Sequence, residues 1–502
     1  MNAAKILAWD WIIDAVKITG VILLGFCCVT LEAMSQTNVT ILEPTERILA
    51  TEIDGEAVRK IAGNVRLELD DRVLACDSAF QYLDQPLVLA YNLEITRDDE
   101  SIQAEQLWLN TETEVATLSG SVQVTYQNTD VHSDSAVFFL DTDQARFFQR
   151  VQWADSTTYV EADEAFVDQE KAQTQLKGSI YGETLQKDQF FVADSMFGDT
   201  LGTLQLVGRS TVWSFEAEQD GKPSAPDKPS AINKPSDPGK PMATNEPVAI
   251  DTTILFAQRI DLQETDSSQR LQATGSPRLW SPDLRALADT IDGVEPDGIL
   301  DLYPNAKLWA DQAQLTANRF TLREQSDSTA ILTGLPRTFI TLEDTAIQRF
   351  QQVVGDSLVA TFISEQLRRL SLHRNTEIFF FPEQENEQGN EQGDQQGDRQ
   401  GNQAIKMQSA LGADLILQNN ELTGITARSA VQGEIYEGEE ALNGFRLEGY
   451  DWSPEQALPF LPLPRKRFDS LYPMFDQRRT QNESLFVIPV EAFDASSPPL
   501  NP

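Results

Sequence analysis

Five carboxylates share one local pattern, in which a small residue precedes the acid and an apolar residue stands two positions after it. They are Asp77 in LACDSAFQY, Glu105 in IQAEQLWLN, Asp134 in VHSDSAVFF, Asp163 in VEADEAFVD and Asp194 in FVADSMFGD. Paired carboxylates can break a glycosidic bond by general acid and base action, and stacked β-repeats do host such enzymes. With 78 Asp and Glu in 502 residues, however, an acid pair carries almost no information. His132 and His373 are the only histidines, and neither has a second His or Cys at metal-ligand spacing. No GxSxG, P-loop or GxGxxG motif stands in a strand-turn-helix context. The residues indicate a protein that is not an enzyme and needs no metal or cofactor.

The spacing of the acids is more telling than their chemistry. They lie 28, 29, 29 and 31 residues apart, a period that marks a stacked repeat architecture. Between them run Val- and Thr-rich alternations such as GNVRLELDDRV and GSVQVTYQNTDV, which read as strands, and helical periodicity is nearly absent. The fold class expected is all-β: stacked strand repeats forming an open jellyroll, in two such domains. The residue before each acid and the residue two after it (Ala79, Leu107, Ala136, Ala165 and Met196) would fall on opposite faces of a regular strand. The acid is therefore expected to mark a bend or bulge that turns both inward.

Composition narrows the partners. A formal charge of −39 opposes any ligand that presents a phosphate backbone, so nucleic acid is excluded. Near the start, Lys17 precedes an apolar run from Ile18 to Leu31, followed by Ala33-Met34-Ser35 as a small-residue cleavage signal. Residues 1–35 are expected to be a signal peptide, with an uncleaved anchor as the alternative. After cleavage only Cys76 would remain, so no internal disulfide is expected. A repeat domain is expected over 36–215 and a Pro/Lys/Ser-rich linker over 216–250. A second β domain over 251–464 would carry a low-complexity Gln-Gly loop at 383–403, and 465–502 would be a flexible tail.

The repeats IAGNVRLELDDRVLACDSAFQYLD and ATLSGSVQVTYQNTDVHSDSAVFFLD resemble the organic-solvent-tolerance (OstA-like) family, which includes the periplasmic bridge of lipopolysaccharide transport. Gly63, Gly120 and Gly178 stand 14, 14 and 16 residues before Asp77, Asp134 and Asp194, as that family's pattern has them. The likeness covers roughly residues 58 to 213 well. Further on, VVGDSLVATFISEQLRRLSLHRNTEIFFF and GYDWSPEQALP resemble the longer OstA-like proteins of the Bacteroidota type.

The resemblance implies a periplasmic carrier of lipopolysaccharide or a related lipid to the outer membrane, joined to other envelope transport proteins by pairing of strand edges. A polysaccharide-binding or -cleaving protein and a structural envelope scaffold are the alternatives. Two sets of residues are candidates for lipid contact. Phe80, Trp108, Val137, Phe166 and Phe197 each stand three after an acid, and at the strand spacing of about 4.8 Å they would form a continuous apolar column, either core or groove. Leu107, Ala136 and Ala165, two after an acid, form the second set.

Overall fold

Alternation at period two puts every second side chain of a strand on one face, and a chain built almost wholly of such segments has sheets as its only means of burying them. A computed structural model describes residues 39–216 and 251–457, apart from short turn segments and 383–402. The expected signal peptide, nearly all of the linker and of the Gln-Gly loop, and the expected flexible tail lie outside the described residues. Among those described are 32 strands and one turn of 3-10 helix, Pro454–Gln456. The fold is all-β: antiparallel strands joined in one long sheet that does not close into a barrel.

Two short strands, β1 (Val39–Leu42) and β2 (Arg47–Ile53), lie on the second and first halves of β3 (Glu56–Leu69). Each later strand then pairs with the next. They are β4 (Arg72–Tyr82), β5 (Leu87–Arg97), β6 (Glu100–Asn110), β7 (Val115–Tyr126), β8 (Thr129–Phe139) and β9 (Gln144–Ala154). The meander continues through β10 (Thr158–Asp168), β11 (Gln173–Thr184), β12 (Gln189–Asp199), β13 (Thr203–Glu216) and β14 (Asp251–Glu264). The strands flanking 217–250 pair from Thr203↔Gln263 to Glu216↔Asp251, so the sheet runs on from the first repeat region into the second.

The long strands β3, β7, β9, β11 and β13 each carry a bulge near the middle. On β3 the two residues Gly63 and Asn64 face the single Asp77 of β4, because the register steps from Ala62↔Ser78 to Val65↔Cys76. Both carry left-handed backbone, φ 85° and 47°, the signature of a bulge that turns the strand. Gly120-Ser121, Gln149-Arg150, Gly178-Ser179 and Gly208-Arg209 repeat the device on β7, β9, β11 and β13. The expected bend is present, but the extra residue sits on the strand beside the acid rather than on the acid's own strand.

The bends line up and divide the sheet into two walls that share one core. The first wall holds segments such as 78–82 and 106–110, and the second holds 72–76 and 100–104. Inward side chains of both, Leu107 and Leu118 with Leu74 and Val124, belong to a single buried cluster. At β14 the walls part. Its second half pairs with Gln269–Thr274 and its first half with Arg278–Trp280. From there two ladders proceed separately, ending at Glu421–Arg428 on the first wall and Gln432–Glu437 on the second. The result is a long trough with a corner along one side and two rows of hairpin turns along the other.

Candidate functional site

The trough interior is the largest chemical feature of the molecule. A single apolar cluster runs from Ile61 to Leu415, with almost every member sealed from solvent. One inward row of the first wall can be followed by register alone: Ile61, Ala79, Ala90, Leu107, Leu118, Ala136, Phe147, Ala165, Leu176, Met196, Leu206 and Ile260. The structure therefore brings Leu107, Ala136 and Ala165 together on one lining. In all five acid motifs the residue before the acid and the one two after it are both buried, as the bend requires.

The interior changes character toward the turns of the second wall. Thr158 faces Thr184, which faces Gln189, which faces Ser214, and all four are buried on the same side as Val160 and Val212. The Thr184 hydroxyl has no hydrogen-bond partner. An apolar floor and a hydroxyl- and amide-bearing rim suit an amphiphile, whose chains need cover while its head needs hydrogen bonds.

Phe80, Trp108, Val137, Phe166 and Phe197 lie elsewhere. Strand alternation turns them to the outer face of the first wall, where Trp108 is 50% exposed and the others are half-buried. They share a register row, but each repeat contributes two strands: the apolar Leu89 stands between Phe80 and Trp108, and Thr117, Arg146 and Gln175 stand between the later members. The column expected at single-strand spacing is thus continuous only from Phe80 through Leu89 to Trp108 and alternates with polar residues beyond, the five named members standing about 9.6 Å apart. Cations sit over its rings: Lys60 Nζ lies 5.4 Å from the centre of Phe80, and Arg146 5.4 Å from that of Phe166. Beyond Gln205 the row turns acidic, with Asp261, Asp292, Asp301 and, further on, Asp414. Arg259, Arg270, Arg319 and Arg428 pair with these in turn.

The repeat acids have a structural task at the corner. Asn92 donates to Asp77 at 2.8 Å, Arg150 Nε to Asp134 at 2.8 Å, and Arg209 Nη2 to Asp194 at 2.6 Å. Sequence reasoning missed two members of this row. Glu46 packs on Gly63 and accepts from Asn64, and Gln258 takes the acid's place beside Gly275. Glu46 stands 31 residues before Asp77 in Thr45-Glu46-Arg47-Ile48, so the period itself was the signal.

The perturbed groups near the interior are tuned by burial. Burial, with Asp77 alongside, pushes the Cys76 thiol up to about 11. Burial also lowers His132, with Asp130 opposing it. Among the described residues no three His, Cys, Asp or Glu side chains cluster as a metal site. No helix among the described residues is long and apolar enough to cross a membrane. No family model matches the chain, and no curated protein matches it.

Proposed function

We propose that this chain is a periplasmic carrier of lipopolysaccharide or a related lipid, holding acyl chains between its two walls. The observation that carries the reading is the unbroken apolar lining. The first wall counts thirteen strands from β2 to β14 and nine more to Glu421–Arg428. Their twenty-one spacings at about 4.8 Å give a trough about 100 Å long. Each methylene hidden from water is worth about 0.8 kcal/mol, so only an extended apolar lining can hold several acyl chains.

The two ends support the strand-pairing partners that the resemblance implies. Among the described strands, β1 and β2 at one end, and Glu421–Arg428 and Gln432–Glu437 at the other, have a neighbour on one side only. Ile48 and Leu49 near the first edge and Ile435 on the last are exposed. A partner of similar section added at either edge would prolong both walls.

A photoreactive residue at position 107 or 136 tests the reading. After mild extraction from the native envelope it should capture lipid detected by mass spectrometry, and one at position 108 should not. Capture only from 108 would move the site to the outer face. Capture of sugar without acyl chain there would favour the polysaccharide-binding alternative, which the exposed Trp108 and its neighbouring rings support through stacking on sugar faces.

A further inference from the structure

Inside the trough of a chain with formal charge −39, positive charge is confined to one end. Ile61, Leu74 and Ile95 belong to the buried cluster, so strand alternation turns Arg59, Arg72 and Arg97 to the same inner face. Among the described residues that face inward from β3 to β14, no other Lys or Arg is found. All three stand on β3, β4 or β5, at the lips of the trough. Arg59 lies on the first wall and donates to Gln81 at 3.1 Å. Arg72 and Arg97 lie on the second wall, where Val73 pairs with Thr96, so the next position toward the turns sets the two arginines opposite each other.

Like charges directly opposite on adjacent strands repel. Arg97 also faces Glu100 on β6, with 3.8 Å from its Nε to the carboxylate, and the two side chains are 11% and 10% exposed. One carboxylate thus stands against two guanidiniums. The Arg72 Nε is sealed from solvent with no hydrogen-bond partner, and a charged group withdrawn from water needs one. Two residues further in, about 7 Å along each strand, Leu74, Ile95 and Ile102 begin the apolar floor. From Tyr126 to Ser214 the same rim row carries hydroxyls, an amide and the carboxylate of Asp155, and no cation.

We propose that Arg72 and Arg97 form an anion subsite at the β3–β5 end of the trough, which takes a phosphate group of the carried lipid. Resting on the reading of the trough as the acyl site, this subsite makes the ligand an anionic amphiphile with its head held at one end. Phosphate oxygens fit the planar fork of a guanidinium, so one group can bridge both arginines and supply the charge that Glu100 alone does not. Arg59 on the opposite lip adds to the positive field there. The chains then run inward from Leu74 and Ile95, and the cation-free rim beyond offers the phosphate no second grip.

Lipopolysaccharide before and after enzymatic removal of its phosphates tests this in the full chain, with a photoreactive residue at position 107 reporting occupancy of the trough. Capture over a concentration series gives an affinity for each form. The phosphorylated form should bind about tenfold more tightly, the worth of a charge-assisted hydrogen bond. Arg72→Gln with Arg97→Gln should erase that preference while position 107 still captures both forms. Equal affinity of the unmodified protein for the two forms would overturn the subsite and leave the trough reading standing; capture of neither would overturn both. Because the double variant can misfold, Glu100→Gln accompanies it. Removing the competing carboxylate should raise the preference about threefold, a gain that a misfolded chain does not produce, and an unchanged or smaller preference would overturn the proposal. Asp70-Asp71 and Asp98-Asp99, next to the arginines in sequence, lie outside the described residues. If the arginines served only to hold those acids, Arg72→Gln would lower the melting temperature and leave the preference untouched, which would overturn the subsite too. Inorganic phosphate is the last probe: phosphorus resonance broadening that is lost in the double variant, with no preference between the lipids, would make the pair a free-anion site instead.

Discussion

Gly178 and Asp163 leave no room for a carbon between them: a Cβ built on Gly178 would lie 2.2 Å from Asp163 Oδ2 and 2.7 Å from its Cβ. Since Gly178 also has φ 82°, both the space and the backbone conformation require glycine. Gly178→Ala should cost about 2–4 kcal/mol, combining left-handed strain with overpacking. Adding Asp163→Gly should restore the overpacking part only. Urea unfolding of the two single variants and the double variant would measure both contributions; a fully additive cycle would mean that the two residues do not meet.

Neighbours on one strand should respond in opposite ways. Leu107 is buried in the trough and Trp108 is 50% exposed outside it. Leu107→Ala should destabilise by about 2–5 kcal/mol. Trp108→Ser, at a surface site, should change stability by less than about 1 kcal/mol. Thermal unfolding of both variants gives the comparison, and an equal loss would place Trp108 in a core.

The Cys76 thiol should report unfolding. With its titration pushed up to about 11, only about one thiol in a thousand is ionised at pH 8, and the thiolate is the reactive form. With Cys27 and Cys28 replaced by serine, iodoacetamide should leave the native protein unlabelled for hours and label it within minutes in urea.

Asp414 makes the far end of the first wall sensitive to acid. Burial works against its carboxylate, yet hydrogen bonds from Arg428, Ser371 and Arg369 outweigh this and hold it at about 2. An unfolded Asp titrates near about 3.9, so the stabilisation is present in full above that value and is lost as pH falls through about 2. The stability gap between the unmodified protein and Asp414→Asn should be largest near neutrality and narrow below about pH 4. Urea midpoints at successive pH values measure it.

Much of this was legible in the sequence, because small residue, acid and apolar residue recur at the corner of every second strand from β4 to β12. The all-β class and the inward pair around each acid follow from that alone. The location of the bulge does not, since Gln149-Arg150 on β9 has the same left-handed backbone as Gly178-Ser179 without a glycine to announce it. The outward position of Phe166 was hidden for a related reason. Large apolar side chains suggest interiors, and only the register shows Arg146 beside it covering the ring. The parting of the walls leaves no mark on β14, whose residues 254–256 and 259–264 belong to one strand and serve different ladders.

Seven of the strands between β4 and β12 are eleven residues long. Strand length fixes how far each wall reaches from its corner, while the number of hairpins fixes how far the trough extends. The two dimensions are therefore encoded in separate properties of the gene product. Duplicating one repeat of about thirty residues adds two strands, or about 10 Å, and leaves the bore unchanged. A molecule built in this way can change its length without redesigning its lining.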